Sequence, residues 1–154
     1  MNQFTKLYSY CSKSMKKLLA SFCCDCKKEI KESNEYNTPQ QAYYYALFKG
    51  PSDKTRKMAC KSTYYAYNYA KEVDKCASCD TREASCENPS TAYLYALEID
   101  EYPRDDTRAA VRADVRYAYA YAVYIDKCKH PDTEKVIKGS EYEDAYNTLP
   151  DYKH

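Results

Sequence analysis

The residues best equipped for chemistry are cysteines. Cys76-Ala77-Ser78-Cys79 is followed by Cys86, and Cys60 stands 26 residues before Cys86. Four thiolates form a closed structural zinc set, so convergence of Cys60, Cys76, Cys79 and Cys86 would make a zinc-binding module. A lone CxxC is a weak signal, however. The same thiols also fit disulfides in an oxidising compartment, or small unligated residues at helix contacts. Cys23-Cys24-Asp25-Cys26, with Cys11 upstream, is denser, but adjacent thiols on a helix point about 100° apart, which is poor metal geometry unless the helix ends there. Cys128 and His130 lie together without a third ligand nearby, and His154 is terminal.

Other chemistry is thin. Catalysis needs a nucleophile or an acid–base pair supported by neighbours, and the chain has no nucleophile elbow and no HExxH. Two glycines make a phosphate-cradling loop implausible. Asp105-Asp106, Glu141 and Glu143 read as helix caps and solvated surface. The expectation is therefore no enzyme and no catalytic residue, and no cofactor unless the thiols hold zinc.

The remaining unusual side chain is tyrosine, 20 in 154 residues. Alanine adds 17, whereas Leu, Val, Ile and Phe together supply 19, so any core is built from Tyr and Ala. Scarce aliphatics signal disorder when net charge is high, but 24 Lys and Arg against 23 Asp and Glu leave only +1. Two glycines disfavour a β-sandwich or barrel, whose tight turns need positive φ. The class is all-α. Near-neutrality excludes a polybasic nucleic-acid binder, and Lys and Arg do not interleave with the tyrosines. No run approaches the roughly 18 to 20 apolar residues of a membrane helix. An odd nine cysteines, and an N-terminal apolar run that ends by Phe22-Cys23, point to a reducing compartment, cytoplasmic or inside a virion or other assembly, without secretion.

The elements that position these residues follow from an internal repeat. Ala42-Tyr43-Tyr44-Tyr45-Ala46, Ala66-Tyr67-Asn68-Tyr69-Ala70, Ala92-Tyr93-Leu94-Tyr95-Ala96 and Ala118-Tyr119-Ala120-Tyr121-Ala122 recur at offsets of 24, 26 and 26 residues. Thr55-Arg56, Thr81-Arg82, Thr107-Arg108 and Thr133-Glu134 recur every 26. Two independent markers on one period predict a short α-solenoid of helix pairs. An N-terminal helical cap would occupy 1–37, four helix pairs 38–139, and a degenerate fifth repeat and tail 140–154.

Thr38, Ser62, Asn88 and Asp114 stand four residues before each leading Ala and are preferred N-cap types, with Ser140 continuing the series. Pro39 and Pro89 fit the first helical position. The long helix of a pair is expected to run, for example, over about 63–75 and 115–127, with Gly50-Pro51 ending the first copy early. A short helix follows over about 81–87, 107–113 and 133–138. Asp80, Asp106 and Asp132 are its expected caps, with Asp80 and Glu83 as a capping box.

Within the long helix, alanines four apart share a face and permit close approach. The tyrosines one and three positions after the first Ala lie about 160° apart on the wheel. They form two rows, Tyr43, Tyr67, Tyr93, Tyr119 and Tyr45, Tyr69, Tyr95, Tyr121, each ring expected against its equivalent in the next unit. Both rows read as core between repeats, and an open row would be a protein-binding surface. Charge adds a second assembly device: residues 1–61 carry 12 basic and 5 acidic groups (+7), and residues 62–154 carry 12 and 18 (−6). Such a dipole favours homo-oligomers by head-to-tail contact.

The segments Ala42–Ala46, Ala66–Ala70, Ala92–Ala96 and Ala118–Ala122 resemble the short A-Y-x-Y-A helical repeats of tailed bacteriophages and large DNA viruses, over about 38–149. The resemblance implies a viral structural or accessory protein and carries over no catalytic residue. The helix-pair plan is more distantly similar to tetratricopeptide and Sel1-like arrays.

Overall fold

A computed structural model describes residues 36–152. Helices make up most of that stretch: α1 (Pro39–Lys49), α2 (Asp53–Ala59), α3 (Thr63–Asn68), π1 (Tyr69–Asp74), α4 (Cys79–Ser85), α5 (Pro89–Tyr95), π2 (Ala96–Asp100), α6 (Asp105–Val111), α7 (Val115–Tyr121), π3 (Ala122–Asp126), α8 (Pro131–Ile137) and α9 (Glu143–Asn147). No strand occurs among the described residues; one isolated bridge joins Lys129 and Asp151. The chain from Asn37 onward forms one compact unit. The expected N-terminal cap and the cysteines at 11, 23, 24 and 26 lie outside the described residues.

Helix α1 packs on α3, α3 on α5 and α5 on α7, while the short α2 packs on α4. Alanines make this closeness physical. Ala42, Ala46, Ala66, Ala70, Ala92, Ala96, Ala118 and Ala122 are all buried, and with no side chain beyond Cβ they let neighbouring backbones approach. Tyrosines fill the space between: Tyr69 lies against Ala46 and Ala59, Tyr121 against Ala92, Ala96 and Val111, and Tyr146 against Ala122 and Ile137.

Two expectations about helix ends need correction. The long helices are not continuous α-helices over about 63–75 and 115–127, because each changes to π-helical winding for its last turn, at Tyr69–Asp74, Ala96–Asp100 and Ala122–Asp126. Asp80, Asp106 and Asp132 do not cap the short helices either; they sit at the second helical position. The cap slots are held by Ser52, Ser78, Arg104 and His130. The capping box is Ser52 with Thr55, not Asp80 with Glu83. Thr38, Asn88 and Asp114 do accept from first-turn amides, whereas Ser62 makes no side-chain cap bond. Gly50, at φ +94°, ends α1.

Candidate interaction surface

The four threonines that mark the period are all fully buried, and three of them anchor the same contact. Thr55 Oγ1 lies 2.7 Å from the Tyr69 hydroxyl, Thr81 Oγ1 2.8 Å from that of Tyr95, and Thr107 Oγ1 2.9 Å from that of Tyr121. Each hydroxyl also accepts the backbone N–H of the preceding cap residue: Ser52 to Tyr69 at 3.2 Å, Ser78 to Tyr95 at 3.0 Å and Arg104 to Tyr121 at 2.9 Å. A buried phenol needs a partner for its hydroxyl. Here the partner is the start of the previous short helix, so each tyrosine ties two helices; its hydroxyl takes up the cap residue's amide, which at Ser52 is shared with Thr55 Oγ1.

The arginine after each threonine completes the joint. Arg56 donates to Asp74, Arg82 to Asp100 and Arg108 to Asp126, at 2.8, 2.7 and 2.8 Å. The guanidinium carbons lie 5.8, 5.6 and 5.9 Å from the ring centroids of Tyr69, Tyr95 and Tyr121. Hydrogen bonds donated to the aspartates push all three arginines above their ordinary range, against desolvation, which is the larger influence at Arg108.

The π-helical turn makes this geometry available. Tyr and Asp are five residues apart in each unit, which in an α-helix would set them about 140° apart. The i→i+5 pattern of a π-helix stacks residues five apart, so one arginine covers the ring and reaches the carboxylate. A left-handed residue then turns the chain: Lys75, Glu101 and Lys127 have φ of 55°, 60° and 55°.

The fourth joint differs. One residue fewer separates Thr133 from Tyr146, and among the described residues the Tyr146 hydroxyl bonds the His130 backbone alone, accepting from its nitrogen at 2.8 Å and donating to its oxygen at 3.0 Å. Thr133 Oγ1 is left buried with no described partner. Glu134 replaces the arginine, and Asp151, five residues after Tyr146, pairs with Lys129.

The row Tyr69, Tyr95, Tyr121 is thus sealed, and Tyr45 at its head is half-buried. The other row is graded. Tyr43 and Tyr67 are buried and donate to Glu72 and Glu98 of the following unit at 2.7 and 2.6 Å. Tyr93 and Tyr119 are half-buried. The sequence predicts ring contacts between equivalent tyrosines of successive units, but the described inter-helix contacts of this row are not of that kind. They are staggered, Tyr43 on Tyr65, Tyr93 on Tyr117 and Tyr119 stacked on Tyr142 at 4.9 Å. Beside them stand two open phenols, Tyr64 at 60% and Tyr124 at 61% exposure.

The thiols do not form a metal centre among the described residues, where no group of three or more potential ligands converges. Cys76 is exposed on the connection into α4 and Cys79 is exposed at its first position. Cys60 and Cys86 close α2 and α4 and are half-buried, and burial, assisted by Asp80 and Asp106 respectively, pushes both thiols up to about 11. An open groove of about 310 Å³ runs past Cys60, Lys57, Asp80 and Glu83.

The Arg–Asp and Tyr–Glu partners were missed in the sequence, although Asp74, Asp100 and Asp126 recur at 26 residues. No protein-family model matches the chain, and no curated protein or solved structure matches it significantly.

Proposed function

We propose that the chain is a non-enzymatic α-helical repeat protein, a short α-solenoid of 26-residue helix pairs, that acts in protein–protein interaction through its open tyrosines and associates with its own copies. The observation that carries this reading is the contrast between the two tyrosine rows. One is locked into the joints, and the other grades outward to the half-buried Tyr93 and Tyr119, beside the open Tyr64 and Tyr124. Tyrosine supplies large contact area at low entropy cost and is enriched at interface centres.

The recurrence of the Thr–Tyr and Arg–Asp joints at one period supports the solenoid reading, and the +7 and −6 halves of the sequence support head-to-tail association. The repeat resemblance implies a phage or viral structural or accessory setting. Light scattering over a concentration series at low and high salt tests the proposal. The expected result is a mass above the monomer at low salt, reduced by added salt and by joint Tyr64→Ser and Tyr124→Ser substitution. A monomer throughout overturns self-association.

A further inference from the structure

Four phenol rings touch in series beside α1. Tyr44 meets Tyr43 at 5.1 Å between centroids, Tyr43 meets Tyr65 at 5.7 Å, and Tyr65 meets Tyr64 at 5.2 Å. Tyr64 is the solvent-facing member, whereas Tyr43 is only 6% exposed and donates its hydroxyl to Glu72 Oε2 at 2.7 Å. A phenol resists one-electron loss because the resulting radical cation is a very strong acid whose proton must be taken up. A carboxylate already bonded to the hydroxyl takes that proton in the same step. Burial and the Glu72 carboxylate push the Tyr43 phenol far above its ordinary range, so it stays neutral and its oxidation must move proton and electron together.

We propose that Tyr43, Tyr44, Tyr64 and Tyr65 with Glu72 form a redox site that traps one-electron oxidising equivalents, from oxidants of the class of high-potential metal complexes or peroxidase intermediates. Tyr64 gives an electron to the oxidant and its proton to water. Tyr43 refills Tyr64 through Tyr65, Tyr64 regains a proton from water, and the Tyr43 proton passes to Glu72. The neutral radical on Tyr43 is cleared when a thiol or similar one-electron donor returns the electron and Glu72 returns the proton.

The corresponding pair one unit on is a built-in control. Tyr67 bonds Glu98, but Lys71 bonds both of them and holds the Glu98 carboxyl below its usual range, weakening it as a proton acceptor. Tyr67 pairs with no second aromatic ring among the described residues; the Lys71 ammonium lies over its face instead, 5.4 Å from the centroid.

The test is flash oxidation of the full chain with photogenerated tris(bipyridine)ruthenium(III), followed by transient absorption and electron paramagnetic resonance. Tyr43→Phe and Glu72→Gln should each shorten the tyrosyl radical lifetime about tenfold, the rate equivalent of one charge-assisted hydrogen bond. Tyr67→Phe should leave it unchanged. The transfer phase from Tyr64 to Tyr43, which moves the Tyr43 proton to Glu72, should show a solvent deuterium effect in the parent and be lost in Glu72→Gln, a variant that keeps side-chain volume and whose fold circular dichroism can verify. A parental lifetime in folded Tyr43→Phe or Glu72→Gln, or an equal loss in Tyr67→Phe, overturns the proposal.

Discussion

At the scale of the residue, chemically identical threonines have opposite expected values. Thr107 holds the Tyr121 hydroxyl, so Thr107→Val leaves a buried phenol short of a partner and should destabilise by about 1–2 kcal/mol. Thr133 has no described partner for its own hydroxyl, so Thr133→Val should be neutral or stabilising by up to about 1 kcal/mol. Urea denaturation of the two variants checks this, and equal losses would contradict the difference between the joints. The thiols divide similarly. With Cys60 and Cys86 raised to about 11 from 9.0, their thiolate fraction at neutral pH falls on the order of a hundredfold. Peptide-mapped alkylation of the folded chain should therefore label Cys76 and Cys79 well before Cys60 and Cys86.

At the scale of the element, the joint rests on a helix that changes winding. The π-turn brings Tyr and Asp under one arginine, and the next residue must be left-handed to lead into the short helix. In the described units after the first, that residue is Lys75, Glu101 or Lys127, none of them glycine. A Cβ in this region costs about 1 kcal/mol. Lys75→Gly and Lys127→Gly should each stabilise by roughly 0.5 kcal/mol, after the greater chain entropy of unfolded glycine is allowed for. Thermal melts read the sign directly. The first copy already uses Gly50 to end its helix.

At the scale of the molecule, cohesion runs through contacts between neighbouring units. Arg82 and Asp100 are deeply placed, with side chains 10% and 0% exposed, as are Arg108 and Asp126. Removing one partner of a buried pair strands the other charge, so Arg82→Ala should cost about 3–5 kcal/mol. The double variant Arg82→Met with Asp100→Leu should recover a substantial part of it, because no charge is then left buried. Chemical denaturation of single and double variants measures both; a single variant within about 0.5 kcal/mol of the parent would remove the pair from the account of stability.

The sequence alone determined the all-α class, the spacing of the Ala–Tyr and Thr–Arg motifs, most long-helix caps and the Ala–Tyr core. Those properties are written in residue spacing, which local propensity and period carry directly. Ala66, Ala70 and Tyr69 needed only their intervals to be placed at helix contacts. The partners of Thr81, Arg82 and Tyr95 were decided by tertiary structure, since the Arg82–Asp100 pair depends on a π-turn that α-helical periodicity hides. The mistaken caps have the same origin: Asp80 is a favourable cap type, but the Tyr95 hydroxyl holds Ser78 in that place. Tertiary structure also decided which tyrosine row is sealed. The rows alternate along one helix, and only the position of the preceding short helix fixes which hydroxyl meets a buried threonine and which ring stays open to solvent.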